Sequence, residues 1–437
     1  MQLQRVRFLW IGFILLAMLA CQLLSPSKGE EPAQAGPSDL GETPEFQNAS
    51  EPPEARLDWF KQDDFDPKYL RYCITYTNHD RSRAQFLSSF QITAYDAGGN
   101  QLGETTELTG WILPGQSLPV AGAVYLSTDG KVDRLEVQAE SPGQVAPPPG
   151  KKESLLSVEN AGIILVDKTV YAVGTLRNGS DKTLTDVMVT ALVYDSSDKL
   201  IDAEYTTLLF VPAGQQTVVQ IDLEVSTEAA RVELYPYLGH NAEFLDAQSP
   251  SLTVEKAAVL QKFDGLVTAI FVIKNSAARA YAGSFYNISL YDAQDKAVAA
   301  ASGEVAFISP DSRIAEITTI SYPLGARIAR MDVQVQPRSD NDWANQQAAA
   351  ITAPNPLTLE QAQYKADPSQ FSDKVTLLVK NGSSQSVDAV GVTALLYDAA
   401  GQIVGGGSTS VGILPAGGQT QLEIHVSAKG EVDKVEV

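Results

Sequence analysis

The chain has 437 residues, which is too long for one hydrophobic core and indicates about three or four domains. Its formal net charge of −21 at pH 7 would repel nucleic-acid phosphates and anionic lipid surfaces, so we expect neither as a partner. The apolar share of 44%, with only four Met and three His, favours strands and tight turns over helix bundles.

Residues 1–20 are typical of a signal peptide. Arg5 and Arg7 precede an apolar run from Phe8 to Ala20, and this run is shorter than the about 20 residues that a membrane-spanning helix needs. The small residue Ala20 suits the peptidase that cleaves before Cys21. An uncleaved membrane anchor is the alternative, and both interpretations place the rest of the chain outside the membrane.

The residues Met18-Leu19-Ala20-Cys21 resemble the lipobox of bacterial lipoproteins. The resemblance implies that Cys21 is lipidated and anchors an exported, extracytoplasmic protein to a bacterial membrane. Cys73 then has no intramolecular partner, and we expect it to be buried and unreactive. Residues 21–56, rich in Pro, Glu, Ser, Gly and Ala, predict a disordered linker after the lipidated cysteine.

A Tyr-Asp pair recurs about every hundred residues after this linker. An asparagine that ends an apolar strand stands sixteen or seventeen residues before each pair, and a proline turn follows each pair. The Tyr-Asp pairs are Tyr95-Asp96, Tyr194-Asp195, Tyr291-Asp292 and Tyr397-Asp398. The asparagines are Asn78, Asn178, Asn275 and Asn381, and the prolines are Pro114, Pro212, Pro310 and Pro415.

Each copy contains about six or seven alternating runs between turn signals, a spacing typical of an antiparallel sandwich. We therefore predict an all-β protein of four tandem Ig-like β-sandwich domains, at residues 57–140, 153–238, 252–336 and 357–437. The strand before each Tyr-Asp pair is apolar almost throughout, as in 187–194, which predicts a central strand with both faces partly covered.

The Tyr-Asp pair, the upstream Asn and the downstream Pro-Gly together resemble the FxLYD family of bacterial extracytoplasmic β-sandwich domains. The resemblance covers most of each copy, but the family's leading Phe is replaced by Ile92, Ala191, Ile288 and Ala394. It implies the sandwich fold and supplies no ligand, cofactor or functional residue.

The four aspartates occupy one sequence position in every copy, so we interpret Asp96, Asp195, Asp292 and Asp398 as structural turn residues that accept backbone N–H groups. We expect each preceding tyrosine to cover the end of its sandwich.

No pattern of catalytic residues emerges from the sequence. His79, His240 and His425 are scattered, and no zinc-protease, nucleophile-elbow or phosphate-loop motif occurs. We therefore predict that the protein is not an enzyme and uses no cofactor. A hydrolase with a carboxylate pair is the least favoured alternative, because it rests only on the number of acidic residues.

Two acidic clusters have the oxygen ligands that calcium prefers, namely Asp63-Asp64 with Asp66, and Asp340-Asn341-Asp342. Their spacing is unlike a dedicated calcium loop, so we interpret them as solvated acidic segments and keep Asp340 and Asp342 as a weak calcium candidate.

Three tryptophans follow the signal peptide, namely Trp59, Trp111 and Trp343. None is repeated between copies, so we expect them to pack against other side chains rather than to stack on sugars.

The sequence as a whole favours a non-enzymatic envelope lipoprotein, an elongated binding or spacer array whose modules contact envelope proteins or glycans. The alternative is a surface protein that binds cell-wall or other polysaccharide.

Overall fold

The computed structural model describes residues 45–146, 155–166, 169–223, 229–246, 251–340, 342–349, 355–366 and 372–437. All of these residues belong to one compact unit, Pro44–Val437, which contains every strand and hydrophobic core described below. We therefore expect this unit to fold by itself. The predicted signal peptide, Cys21 and the linker up to residue 44 lie outside the described residues. The rest of the predicted linker, residues 45–56, is partly ordered, because it contains the short strand Gln47–Asn48 and the start of the strand Glu54–Gln62. Within the described residues, no helix is long and apolar enough to cross a membrane.

The prediction of an all-β chain of tandem antiparallel sandwiches is confirmed. We call the described parts of residues 45–146, 155–246, 251–349 and 355–437 modules 1 to 4. Six strands, A to F in chain order, recur in each module. Strands A, B and E form one sheet, and strands D, C and F form the other.

Module 1 has ten strands. Strands A to F are β2 (Glu54–Gln62), β3 (Tyr69–Thr77), β5 (Ser89–Tyr95), β6 (Gln101–Leu108), β8 (Ser117–Tyr125) and β9 (Arg134–Ser141). Four short strands form an additional sheet: β1 (Gln47–Asn48), β4 (Ala84–Phe86), β7 (Trp111–Ile112) and β10 (Gln144–Ala146).

Module 2 has the same six strands and one short addition. Its strands are β11 (Leu156–Val166), β12 (Thr169–Asn178), β13 (Lys182–Tyr194), β14 (Leu200–Val211), β15 (Gln216–Leu223), β16 (Arg231–Leu238) and the additional β17 (Phe244–Asp246). The apolar run in β13 follows the period of a strand, because Val187, Val189, Ala191 and Val193 all face the module's core.

Modules 3 and 4 repeat this order. Module 3 contains β18 (Leu252–Phe263), β19 (Leu266–Asn275), β20 (Tyr281–Tyr291), β21 (Ala297–Ile308), β22 (Arg313–Ser321), β23 (Arg330–Gln336) and the helix α1 (Trp343–Ala349). Module 4 contains β24 (Leu357–Lys365), β25 (Asp373–Asn381), β26 (Val387–Tyr397), β27 (Ile403–Leu414), β28 (Gln419–Ala428) and β29 (Lys434–Glu436). A short pairing of β27 with β28 joins the two sheets of module 4 into one.

The asparagine at the end of strand B is a buried clasp in all four modules. Its side chain is at most 2% exposed, although the sequence predicts only a turn residue there. In module 2, Asn178 Nδ2 donates to the carbonyls of Lys182 at 2.8 Å and Val211 at 3.0 Å, while Oδ1 accepts from the Ser180 N–H at 2.9 Å. The amide therefore ties the turn after strand B to the proline turn after strand D.

Candidate interaction surfaces and module joints

The aspartate of each Tyr-Asp pair accepts backbone hydrogen bonds inside the turn between strands C and D. The N–H two residues on donates to the aspartate in modules 2 to 4, at 2.8 to 2.9 Å, and the N–H four residues on donates in every module. Hydrogen bonds from Asn100 and Ser197 lower the pKa of Asp96 and Asp195 respectively, since they favour the charged carboxylate. These contacts hold the turn.

The tyrosine of the pair does not cover the end of the sandwich. It lies on the outer face of the D-C-F sheet, beneath a basic side chain from strand F. The distances from cation to ring centroid are 4.4 Å for Arg134 over Tyr95, 4.0 Å for Arg231 over Tyr194, 3.8 Å for Arg330 over Tyr291 and 5.6 Å for Lys434 over Tyr397. In modules 2 to 4 the ring also packs against the preceding module.

Modules 1 and 2 meet through the outer faces of two sheets. Cys73 of β3 and Ala121 of β8 form one buried cluster with Leu192 of β13 and Ala203 of β14. All four residues are at most 6% exposed, so this joint excludes water as a core does. The A-B-E sheet of module 1 therefore lies on the D-C-F sheet of module 2.

A buried ion cluster crosses the same joint. Arg71 of β3 donates from Nη1 to Asp202 at 2.6 Å and to Glu204 at 2.5 Å, both on β14. The side chains of Arg71 and Asp202 are 3% and 1% exposed, so neither charge is solvated by bulk water. Since a buried charge requires such a partner, the ion cluster favours one register of module 1 on module 2.

An aromatic cluster extends this joint to the additional sheet of module 1. Trp111 is 5% exposed, and its ring centroid lies 4.8 Å from that of Phe86, in a tilted contact, and 6.2 Å from that of Phe244 of module 2, in an edge-to-face contact. Trp59 packs beside the same interface, with the Arg71 guanidinium 5.8 Å from its ring. Trp343, by contrast, is 67% exposed on α1. The tryptophans that suggested sugar stacking therefore do not form one exposed platform.

Modules 2 and 3 repeat the arrangement with neutral polar contacts. Tyr171, Val173 and Val218 of the A-B-E sheet pack against Tyr291, Ala297 and Ala300 of the next D-C-F sheet. The N–H of Val218 donates to Ser289 Oγ at 3.1 Å, and the N–H of Ala300 donates to Gln220 Oε1 at 3.0 Å. Asn287 Nδ2 donates to the Phe210 carbonyl at 2.8 Å.

Modules 3 and 4 meet in the same way through an apolar joint. Leu260, Ile270 and Val272 of the A-B-E sheet form a cluster with Leu395, Tyr397 and Ile403 of the next D-C-F sheet. Gly406 permits the close approach, because a Cβ there would lie 2.8 Å from Ile317 Cδ1. All three joints thus pair the same two sheets.

Buried tyrosines surround one carboxylate beside the first joint. Tyr72 donates from its hydroxyl to Glu107 Oε2 at 2.9 Å, and burial raises the pKa of Glu107. Tyr237 of module 2 packs against the same core of module 1, so a side chain of the second module covers the core of the first.

A half-buried carboxylate lies inside module 3. Ala315 and Ile317 pack on module 4, so Glu316 between them faces the interior of its own sandwich. Burial raises the pKa of Glu316 to about 7. The equivalent residues, found from the pairing of strands B and E, are Val120, Val219 and Leu422 in the other modules.

The other predicted site residues are not brought together. Asp340 accepts from Arg279 at 2.6 Å, whereas Asp342 caps α1 by accepting from the N–H groups of Ala344 and Asn345. Asp63 likewise accepts from backbone N–H groups, at Phe65 and Asp66. Over the described ranges, no three His, Cys, Asp or Glu side chains converge as metal ligands.

Cys73 is fully buried, and burial raises the pKa of its thiol to about 12. A thiol with such a pKa is uncharged near neutral pH and is a poor nucleophile. The proposed lipidation site, Cys21, lies outside the described residues.

A cleft of about 580 Å³ opens between modules 3 and 4, beside the turn from β18 to β19. Its lining includes the exposed Phe263 and the cations Arg327 and Lys429, together with Asp264, whose carboxylate accepts from the Gly325 N–H at 3.0 Å.

A scan against protein-family models found no match, and neither did a search of curated proteins. Among solved structures, the chain is similar to E. coli alpha-2-macroglobulin, with 10% identity and a TM-score of 0.14, over 86% of this chain but only 30% of the length of that one. It is also similar to the N-terminal CBM22-1-CBM22-2 tandem domain of Paenibacillus barcinonensis Xyn10C, with 10% identity and a TM-score of 0.09, over 47% of this chain and 87% of that one. TM-scores this low support no conclusion about function.

Proposed function

We propose that the protein is a non-enzymatic, exported lipoprotein whose four β-sandwich modules act as an elongated array that binds or spaces envelope components. The observation that carries this proposal is the repeated joint. Each of three neighbouring module pairs is closed by buried side chains on the same two sheet faces. Joints of this kind hold successive modules at fixed positions, as a spacer or a multi-module binding scaffold requires.

The positions of the buried titratable side chains support a binding role more than a catalytic one. The buried titratable groups Arg71, Glu107 and Glu316 lie in joints or cores, away from the cleft beside Phe263. Trp59 and Trp111 do not support the glycan-binding alternative, since both pack at the joint between modules 1 and 2.

Small-angle scattering of residues 44–437 tests the array. Two sheet layers per module, stacked about 10 Å apart, would separate the outermost sheets by roughly 70 Å and give a radius of gyration of roughly 27 Å. A single compact domain of this length would have a radius of gyration of about 21 Å. A value near the smaller figure would contradict the elongated array.

Fatty-acid labelling in a bacterial host tests the anchor separately. The full chain should incorporate labelled palmitate and sediment with membranes, and Cys21→Ala should abolish both. Cys73→Ala is the matched control and should keep the label, because Cys73 is buried in the first joint. Labelling that survives Cys21→Ala would contradict the proposed anchor.

A further inference from the structure

The three joints use equivalent positions on every A-B-E face. The central position is the strand B residue five before the buried asparagine, together with its partner on strand E. These pairs are Cys73 with Ala121, Val173 with Gln220, and Ile270 with Ile317. All but one of these side chains are apolar, and the exception, Gln220, accepts a hydrogen bond from the next module.

The opposing D-C-F faces also use equivalent positions. The first position is the strand C residue two before the tyrosine of the Tyr-Asp pair, together with the strand D residue that pairs with it. The second position is the strand D residue that pairs with the tyrosine itself. The first set is Leu192 with Ala203, Ser289 with Ala300, and Leu395 with Gly406, and the second set is Leu200, Ala297 and Ile403. Small and apolar residues therefore predominate wherever a preceding module docks.

The A-B-E face of module 4 differs at these positions. Its central pair is Thr376 with Glu423, and the Lys374 Nζ lies 2.9 Å from the Glu423 carboxylate. The Glu423 side chain is 46% exposed. His425, also exposed, pairs with Lys374 across the strands, so the centre of this face is charged.

The D-C-F face of module 1 differs in the same sense. Thr93 pairs with Glu104, and Gln101 pairs with Tyr95. The side-chain amides of Gln91 and Gln101 both donate to Glu104 Oε2, at 3.0 and 2.8 Å, in a network that solvent reaches. Docking another module here would take this carboxylate and its two amide donors out of water, which is unfavourable.

We infer that these two faces are end caps, which prevent another copy of this chain from adding head to tail through a module joint. Repeat proteins need a polar outer surface on their terminal repeats for solubility, and the polar residues here occupy the positions that carry the apolar contact elsewhere. The array then acts as a single copy of the chain. This inference concerns association of the modules and holds whatever the array binds.

Sedimentation of residues 44–437 is the first test. The wild-type protein should have the mass of one copy up to about 0.1 mM, a concentration at which even a weak repeat of the joint would be occupied. A mass of two or more copies that falls to one copy in Glu104→Arg would overturn the inference, because the capped face would then be an interface.

The second test places residues of the joint between modules 3 and 4 on the two polar faces of modules 1 and 4. Thr376→Ile with Glu423→Ile gives module 4 the residues of module 3, and Gln101→Ile with Glu104→Gly gives module 1 the residues of module 4. Each variant alone should remain a single copy, whereas an equimolar mixture should form a one-to-one complex. The control pair Asn241→Ile and Glu431→Ile adds apolar side chains at exposed loop positions and should not associate.

Circular dichroism establishes that each variant is folded before mixing. If a double exchange unfolds its module, the single exchanges Glu423→Ile and Glu104→Gly replace it in the same mixture, with weaker association expected. Folded variants that stay separate at about 0.1 mM would overturn the inference, since the polar residues would not then be what blocks the joint.

Discussion

Four asparagine side chains connect the turns of their modules from inside the fold. Each Nδ2 donates to carbonyls of two separate turns, as Asn381 does to Gln385 at 2.7 Å and Leu414 at 3.1 Å. A backbone carbonyl buried without a donor costs free energy, so the amide satisfies acceptors that no strand pairing reaches. This structural role explains why an asparagine recurs at nearly the same distance before every Tyr-Asp pair.

Asn178→Ala should lower the free energy of unfolding of module 2 by about 3 kcal/mol, because it removes several buried hydrogen bonds at once. Chemical denaturation followed by tyrosine fluorescence measures the change. Asn241→Ala, at an exposed loop position, is the matched control and should change stability little. Equal effects of the two exchanges would show that Asn178 is no more than a turn residue.

Glu316 places a titratable group where the other modules have Val or Leu. Its pKa of about 7 in the folded protein lies above the ordinary value of 4.5, because burial disfavours the charged form. The folded state therefore keeps a proton that the unfolded state loses as the pH rises from about 4.5 to about 7, and stability falls across this window. Above pH 7 both states are ionised and the loss is complete.

Glu316→Gln should remove this fall, so that the variant is more stable than the wild type at pH 8 by up to about 3 kcal/mol and similar to it at pH 4. Thermal unfolding of both proteins between pH 4 and pH 8 measures the difference. Glu431→Gln, in an exposed loop, controls for the loss of one charge. A wild-type stability that does not fall over this pH range would contradict a buried, unpaired environment for Glu316.

At the scale of strands, the sequence predicts which segments are strands and that both faces of strand C are partly covered. Its alternation does not specify what covers the outer face. In β13, Val189 faces the core of module 2, whereas Leu192 faces Cys73 and Ala121 of module 1. The prediction that the Tyr-Asp tyrosines cover the sandwich ends is wrong for the same reason, because the alternation within one strand carries no information about packing between modules.

The first joint is distinguished from the others by its ion cluster. Arg71 forms ion pairs with Asp202 and Glu204 across the interface, while the second joint uses amide and hydroxyl groups and the third is formed mainly by apolar side chains. Different contacts at the three joints favour one order of modules, since a wrong pairing would bury charges against apolar residues. The Arg71 ion cluster could not be predicted from the sequence, because Asp202 and Glu204 follow Arg71 by 131 and 133 residues.

Arg71→Met should destabilise the joint between modules 1 and 2 by about 3 kcal/mol or more, because it removes the cation that faces two buried or half-buried carboxylates. Differential scanning calorimetry should then separate a transition of module 1 from that of the remaining modules. Arg134→Met, on the exposed face of module 1, is the control and should leave a coincident transition. If Arg71→Met melts like the wild type, the ion cluster does not hold the joint.

For the whole molecule, the repeat in the sequence predicts four tandem sandwiches but no contact faces between them. The structure instead brings sheet faces into contact between neighbouring modules. The role of polar residues such as Glu104 and Glu423 cannot be predicted from the sequence. It becomes evident only when the structure shows which sheet faces form the joints.

The central claim is that one sheet of each module docks on the opposite sheet of the next, and methyl NOE spectroscopy of residues 44–437 tests it most directly. The account predicts cross-peaks between methyl groups of Ala121 and Ala203, Val173 and Ala300, and Ile270 and Ile403, which share a cluster at each successive joint. Cross-peaks confined to single modules, with none between these pairs, would contradict it.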